Sequence, residues 1–154
     1  MTSFLSRRTT LGKWFVTGCL LAAAVTAGAV ERKLTIEAPS KVGAHADFSV
    51  LITASTDAGA GEHVGFFQVE SSLDDGKTWT AVAYLDKLGA VVKRPILIKS
   101  GAAGTNTQVR VRVAFRDGAA KDVDYTGAAI RWADTWEKWG QPPAKSATIK
   151  VTES

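Results

Sequence analysis

The sequence predicts an all-β protein, an antiparallel β-sandwich of seven or eight strands, and three observations carry that expectation. Apolar residues recur with a period of two from Leu34 onward. Clusters of Gly, Pro, Asp and Ser punctuate the chain at hairpin-like intervals. The 154 residues show no repeat of about 20 to 50 residues and no low-complexity linker, so one domain builds one core.

The chain opens on Arg7, Arg8 and Lys13, passes through Trp14-Phe15-Val16 and Cys19-Leu20-Leu21-Ala22-Ala23-Ala24-Val25, and reaches Ala27-Gly28-Ala29. That order of basic, apolar and small residues is a signal peptide's, with cleavage expected after Ala29 and a periplasmic or extracellular destination. Thr17, Gly18 and Thr26 interrupt the apolar run, which falls short of the roughly 20 residues a membrane span needs. Ser6-Arg7-Arg8-Thr9-Thr10-Leu11 resembles the twin-arginine export signal, with Thr10 and Gly12 in place of its Phe and Lys; an ordinary secretory leader with two adjacent arginines reads the same residues equally well. Val16-Thr17-Gly18-Cys19 resembles a lipoprotein box, but five residues between Lys13 and Cys19 are fewer than the roughly 7 to 15 of an apolar leader core. The expected mature domain, residues 30–154, therefore has no Cys, hence no disulfide, thiolate nucleophile or Cys-ligated metal, and no membrane attachment.

Charge follows from the same division. All three charges of residues 1–29 are basic, so 16 basic and 15 acidic side chains remain, a balance of 16 − 15 = +1. That is no electrostatic footprint for nucleic acid.

The strands come in order. Leu34 and Ile36 begin the alternation, and Phe48, Val50, Ile52 and Ala54 continue it. Residues 64–73, 79–85, 91–98, 109–115 and 147–151 read the same way, with a less regular stretch across 125–132. Between them stand Pro39-Ser40, Asp57-Ala58-Gly59-Ala60-Gly61, Asp74-Asp75-Gly76, Ser100-Gly101, Asp117-Gly118 and Gly140-Gln141-Pro142-Pro143. In Val109-Arg110-Val111-Arg112-Val113-Ala114-Phe115-Arg116 the apolar set faces a core and three arginines project from the other side. Such a row ordinarily serves solubility and edge protection. The sharper reading is a surface where Arg110, Arg112 and Arg116 receive an acidic partner. Length, strand count and turn spacing together resemble an immunoglobulin-like or fibronectin-type-III-like sandwich over about 115 residues. The paired cysteines of antibody domains are absent, so the resemblance is to disulfide-free members, and it implies little about function.

Ser72-Leu73-Asp74-Asp75-Gly76-Lys77-Thr78-Trp79 matches the Asp-box pattern S-x-D-x-G-x-T-W at every defined position. The expected role is structural, in a hairpin of Ser72, Asp74, Gly76 and Trp79: Asp74 bonds backbone amides across the turn, Gly76 takes φ > 0, and Trp79 packs back on the hairpin. The box resembles those of sialidase-type propellers, where it recurs; one copy in a chain too short for a propeller implies only the hairpin.

Trp132, Trp136 and Trp139 share an i, i+4, i+7 spacing before Gly140 and Pro142. In a short helix all three rings would lie on one face and cap the sandwich; in a loop they would form an aromatic platform for a protein partner or a glycan. His45 and His63 are separated by a strand of roughly 30 Å, so no shared metal ion is expected. No nucleophile elbow surrounds any Ser, and Gly59-Ala60-Gly61 lacks a dinucleotide loop's third Gly. The sequence thus predicts an exported, non-enzymatic interaction or accessory subunit without cofactor or metal. Its partner is a protein, a co-exported redox enzyme being one candidate, and the alternative is a carbohydrate-binding module using Trp132, Trp136 and Trp139.

Overall fold

The computed structural model describes residues 29–130 and 143–153, and within them every regular element is a strand. Nine occur in chain order: β1 (Arg32–Glu37), β2 (Lys41–Gly43), β3 (Asp47–Thr56), β4 (His63–Ser72), β5 (Thr80–Asp86), β6 (Val91–Lys99), β7 (Asn106–Gly118), β8 (Lys121–Val123) and β9 (Lys145–Thr152). They form two layers, a three-stranded sheet ordered β1-β3-β6 and a larger sheet ordered β2-β9-β7-β4-β5, with β8 paired to β7. The all-β, two-layer expectation holds.

The core is the alternation made physical. Leu34, Val50, Ile52, Ala54, Val92 and Ile98 face inward from the smaller sheet, and Val69, Val109, Val111, Val113, Phe115 and Ile149 face them from the larger one. Each large side chain so buried contributes roughly 1.5 to 3 kcal/mol. The short β2 runs parallel to β9, the one exception to antiparallel pairing among the described strands.

Three departures from the sequence reading have local causes. The strand expected across 125–132 does not form through residue 130, because Asp124 folds the chain into a turn. Its Oδ1 accepts from Thr126 N at 2.7 Å and Ala128 N at 3.2 Å, leaving a single bridge between Val123 and Ala129. A bulge at Gly65 shifts the β4 register between Val64, opposite Phe115, and Phe66, opposite Ala114. Phe66 is thereby sent to the outward face while Phe67 enters the core, and a Cβ at Gly65 would run into the Arg116 side chain. Finally, β7 lies between β4 and β9, so its arginines protect no edge.

An ion pair fastens β1 to the loop between β3 and β4. Arg32 on β1 donates from Nε and Nη2 to the two Glu62 oxygens, each at 2.7 Å, and Thr56 Oγ1 adds a bond at 2.6 Å. Burial by itself would raise the Glu62 carboxyl, but the hydrogen bonds from Arg32 and Thr56 and the Arg32 charge outweigh it and hold it below the usual carboxylate range. Gly118 on β7 leaves the needed room, since a Cβ there would collide with the Glu62 side chain.

Candidate functional site

The register of β4 against β7 builds a polar ladder on the outward face of the larger sheet. Glu70 stands opposite Arg110, Gln68 opposite Arg112 and Phe66 opposite Ala114, while β5 sets Tyr84 beside Gln68. Arg110 Nε donates to Glu70 Oε2, and Arg112 Nη1 reaches the same oxygen at 3.4 Å. One carboxylate therefore serves two guanidiniums. Burial, opposed by the Glu70 charge and reinforced by that of Arg110, holds the Arg112 guanidinium below its ordinary pKa.

The face is more enclosed than a solvent face needs to be. Phe66 and Ala114 are buried, as are Gln68 at 5% exposure and Arg112 at 9%. Gln68 Nε2 donates to Glu70 Oε1 at 3.2 Å, yet Gln68 Oε1 and Arg112 Nε are buried with no hydrogen-bond partner among the described residues. An unpaired buried polar atom costs about 1 to 3 kcal/mol, so these two, standing opposite each other in the ladder, mark its least satisfied point. The predicted arginine row is thus corrected. Arg110 and Arg112 are drawn inward by Glu70, and only Arg116 is exposed, donating from Nε to Asp122 Oδ1 at 3.4 Å.

Ser72, Asp74, Gly76 and Trp79 close the ladder at one end. Ser72 Oγ donates to Asp74 Oδ1 at 2.7 Å and accepts from Gly76 N at 2.8 Å, while Asp74 accepts from Thr78 N at 2.9 Å and from Thr78 Oγ1 at 2.7 Å. The hydrogen bonds from the Thr78 backbone and hydroxyl lower the Asp74 carboxyl from 3.8 to about 2. Gly76 adopts φ 86°, and Trp79 Nε1 donates to its carbonyl at 3.0 Å. Asp75 fastens the hairpin to β7 by accepting from Asn106 Nδ2 at 2.8 Å. The indole has a second task, because the Arg110 guanidinium lies 4.1 Å over its ring.

At the other end a polar cleft of about 440 Å³ is lined by His63, Phe66, Tyr84, Asp86, Arg116 and Asp117. Phe66 and Tyr84 meet there with centroids 6.0 Å apart, and His63 Nε2 stands 3.7 Å from Asp117 Oδ2. His45 lies just before β3 and His63 beyond its far end, and among the described residues no three His, Cys, Asp or Glu side chains gather as a metal site. Trp132, Trp136 and Trp139 lie outside the described residues.

Sequence reasoning found Arg110, Arg112 and the hairpin but missed Glu70 and Gln68. Their only signal was polar residues alternating with the apolar ones of β4, the pattern of any half-buried strand.

No family model matches the chain, and no curated protein matches it in sequence. Among solved structures it is similar to the superoxide reductase (neelaredoxin) from Ignicoccus hospitalis, with 13% identity and a TM-score of 0.48 over 80% of this chain and 83% of that one.

Proposed function

We propose that the chain is an exported, non-enzymatic accessory subunit that binds a protein partner in the periplasm through the outward face of its larger sheet. The export element rests on residues 1–29, whose order of charge, apolar run and small residues suits a cleaved leader. The observation that carries the docking element is the burial of Gln68 and Arg112 on the side of the sheet away from the core, with Gln68 Oε1 and Arg112 Nε unsatisfied among the described residues. Rule-breaking of this kind is tolerated where a surface serves recognition rather than stability alone.

The test is affinity capture from a periplasmic extract with three baits: wild type, Tyr84→Asp on the outward face of the larger sheet, and Leu97→Asp on the opposite sheet. Both positions are exposed, so neither change disturbs the core. The expected result is one partner held by wild type and Leu97→Asp and lost by Tyr84→Asp. Equal capture by all three overturns the assignment of the face. A Trp136→Ala, Trp139→Ala double variant completes the set: glycan-dependent quenching of indole emission, abolished by that variant, would replace the protein partner with a carbohydrate.

A further inference from the structure

We infer that Arg110 is a preformed receptor for a carboxylate, and that the docking partner delivers an acidic side chain to it. The inference rests on the proposed docking face and names the chemistry of its occupant. Two guanidiniums and one carboxylate meet in the ladder, so the cluster of Arg110, Arg112 and Glu70 carries one positive charge in excess. Arg112 is nearly closed off, its side chain retaining 11% exposure, whereas that of Arg110 retains 25%. Arg110 is therefore the member an incoming group can reach.

Its orientation is already fixed. Nε is held by Glu70, and one face of the guanidinium lies 4.1 Å over the Trp79 ring, which the Ser72–Asp74–Gly76 hairpin positions in turn. The two terminal nitrogens hydrogen-bond to no group among the described residues. A guanidinium fixed at Nε and stacked on one face presents its terminal pair as a fork, the geometry that receives a carboxylate with two parallel N–H···O bonds. Ordering this long side chain beforehand removes part of the entropy cost of binding. A second carboxylate would bring the cluster to two charges of each sign, which gives the partner's acid a reason to stay. Arg116 plays no direct part, since it is engaged with Asp122 at the far end of β7.

The experiment titrates the purified full chain with a short Glu-rich peptide, and separately with inorganic phosphate, at low and at high salt. Heat of binding is the readout, and circular dichroism confirms that every variant is folded. The expected result is peptide binding weakened at least tenfold by Arg110→Gln, less by Arg110→Lys, which keeps the charge and loses the fork, and strongly reduced in about 1 M salt, where screening acts over roughly 3 Å. No peptide binding, or binding indifferent to Arg110→Gln, overturns the proposal even if affinity capture succeeds. Phosphate binding with the same Arg110 dependence and peptide competition overturns the acidic protein side chain in favour of a free oxyanion. Peptide binding without any captured partner preserves the receptor and defeats the docking face.

Discussion

Two ion-pair sites on one chain obey opposite rules. At Arg32–Glu62 one guanidinium meets one carboxylate, both oxygens are used, and Thr56 supplies a further donor. At Arg110–Glu70–Arg112 two guanidiniums crowd one carboxylate, and Arg112 Nε and the neighbouring Gln68 Oε1 find no partner among the described residues. The first arrangement repays desolvation within the molecule and holds β1 to the loop between β3 and β4. The second leaves part of that cost standing. Charge balance, rather than burial, distinguishes the two sites, and it is the unbalanced one that the proposed function assigns to a partner.

The contrast can be broken most severely at Glu62. Glu62→Gln leaves Arg32 buried without its anion and is expected to cost about 3 to 5 kcal/mol, read as a fall in the urea midpoint with an unchanged slope. Glu70→Gln should cost less, about 2 kcal/mol, because Arg110 keeps a quarter of its side chain in solvent. The sharpest comparison is Arg32→Met against Arg112→Met. The former strands Glu62 and should cost about 3 kcal/mol, whereas the latter removes an orphaned donor, leaves Arg110 and Glu70 matched, and should stay within about 1 kcal/mol of wild type. Equal losses in the two variants would erase the distinction.

The smallest effect belongs to the hairpin and is read by acid titration. Asp74 has a folded pKa below its unfolded one, so its contribution is full above about 3.8 and drains away as the pH falls toward about 2. Asp74→Asn should lower the melting temperature modestly at neutral pH and flatten the pH dependence in that window. Glu62, also lowered, acts in the same direction, so the Asp74→Asn curve should be shallower rather than flat.

Much of this was legible beforehand, for reasons visible in individual residues. Val109, Val111, Val113 and Phe115 announced their face because a strand has period two, and Gly76 and Asp74 announced a turn because local geometry needs them. Phe66 was not legible: the Gly65 bulge moves it off the face that its spacing from Val64 implies. The stretch after Asp124 misled because Tyr125, Ile130 and Trp132 suit a strand in composition, while the Asp124 carboxylate offers the backbone a competing turn. The arginine row was half legible, since its direction follows from alternation and its partners do not.

By itself, then, the order of residues determined the all-β character, the inward-facing set and the hairpin, because each depends on neighbours a few positions apart. Only the tertiary structure decided that Glu70 lies against Arg110 across forty residues and Glu62 against Arg32 across thirty. Those meetings depend on strand register and sheet order, and a charge carries no mark of the partner it will face.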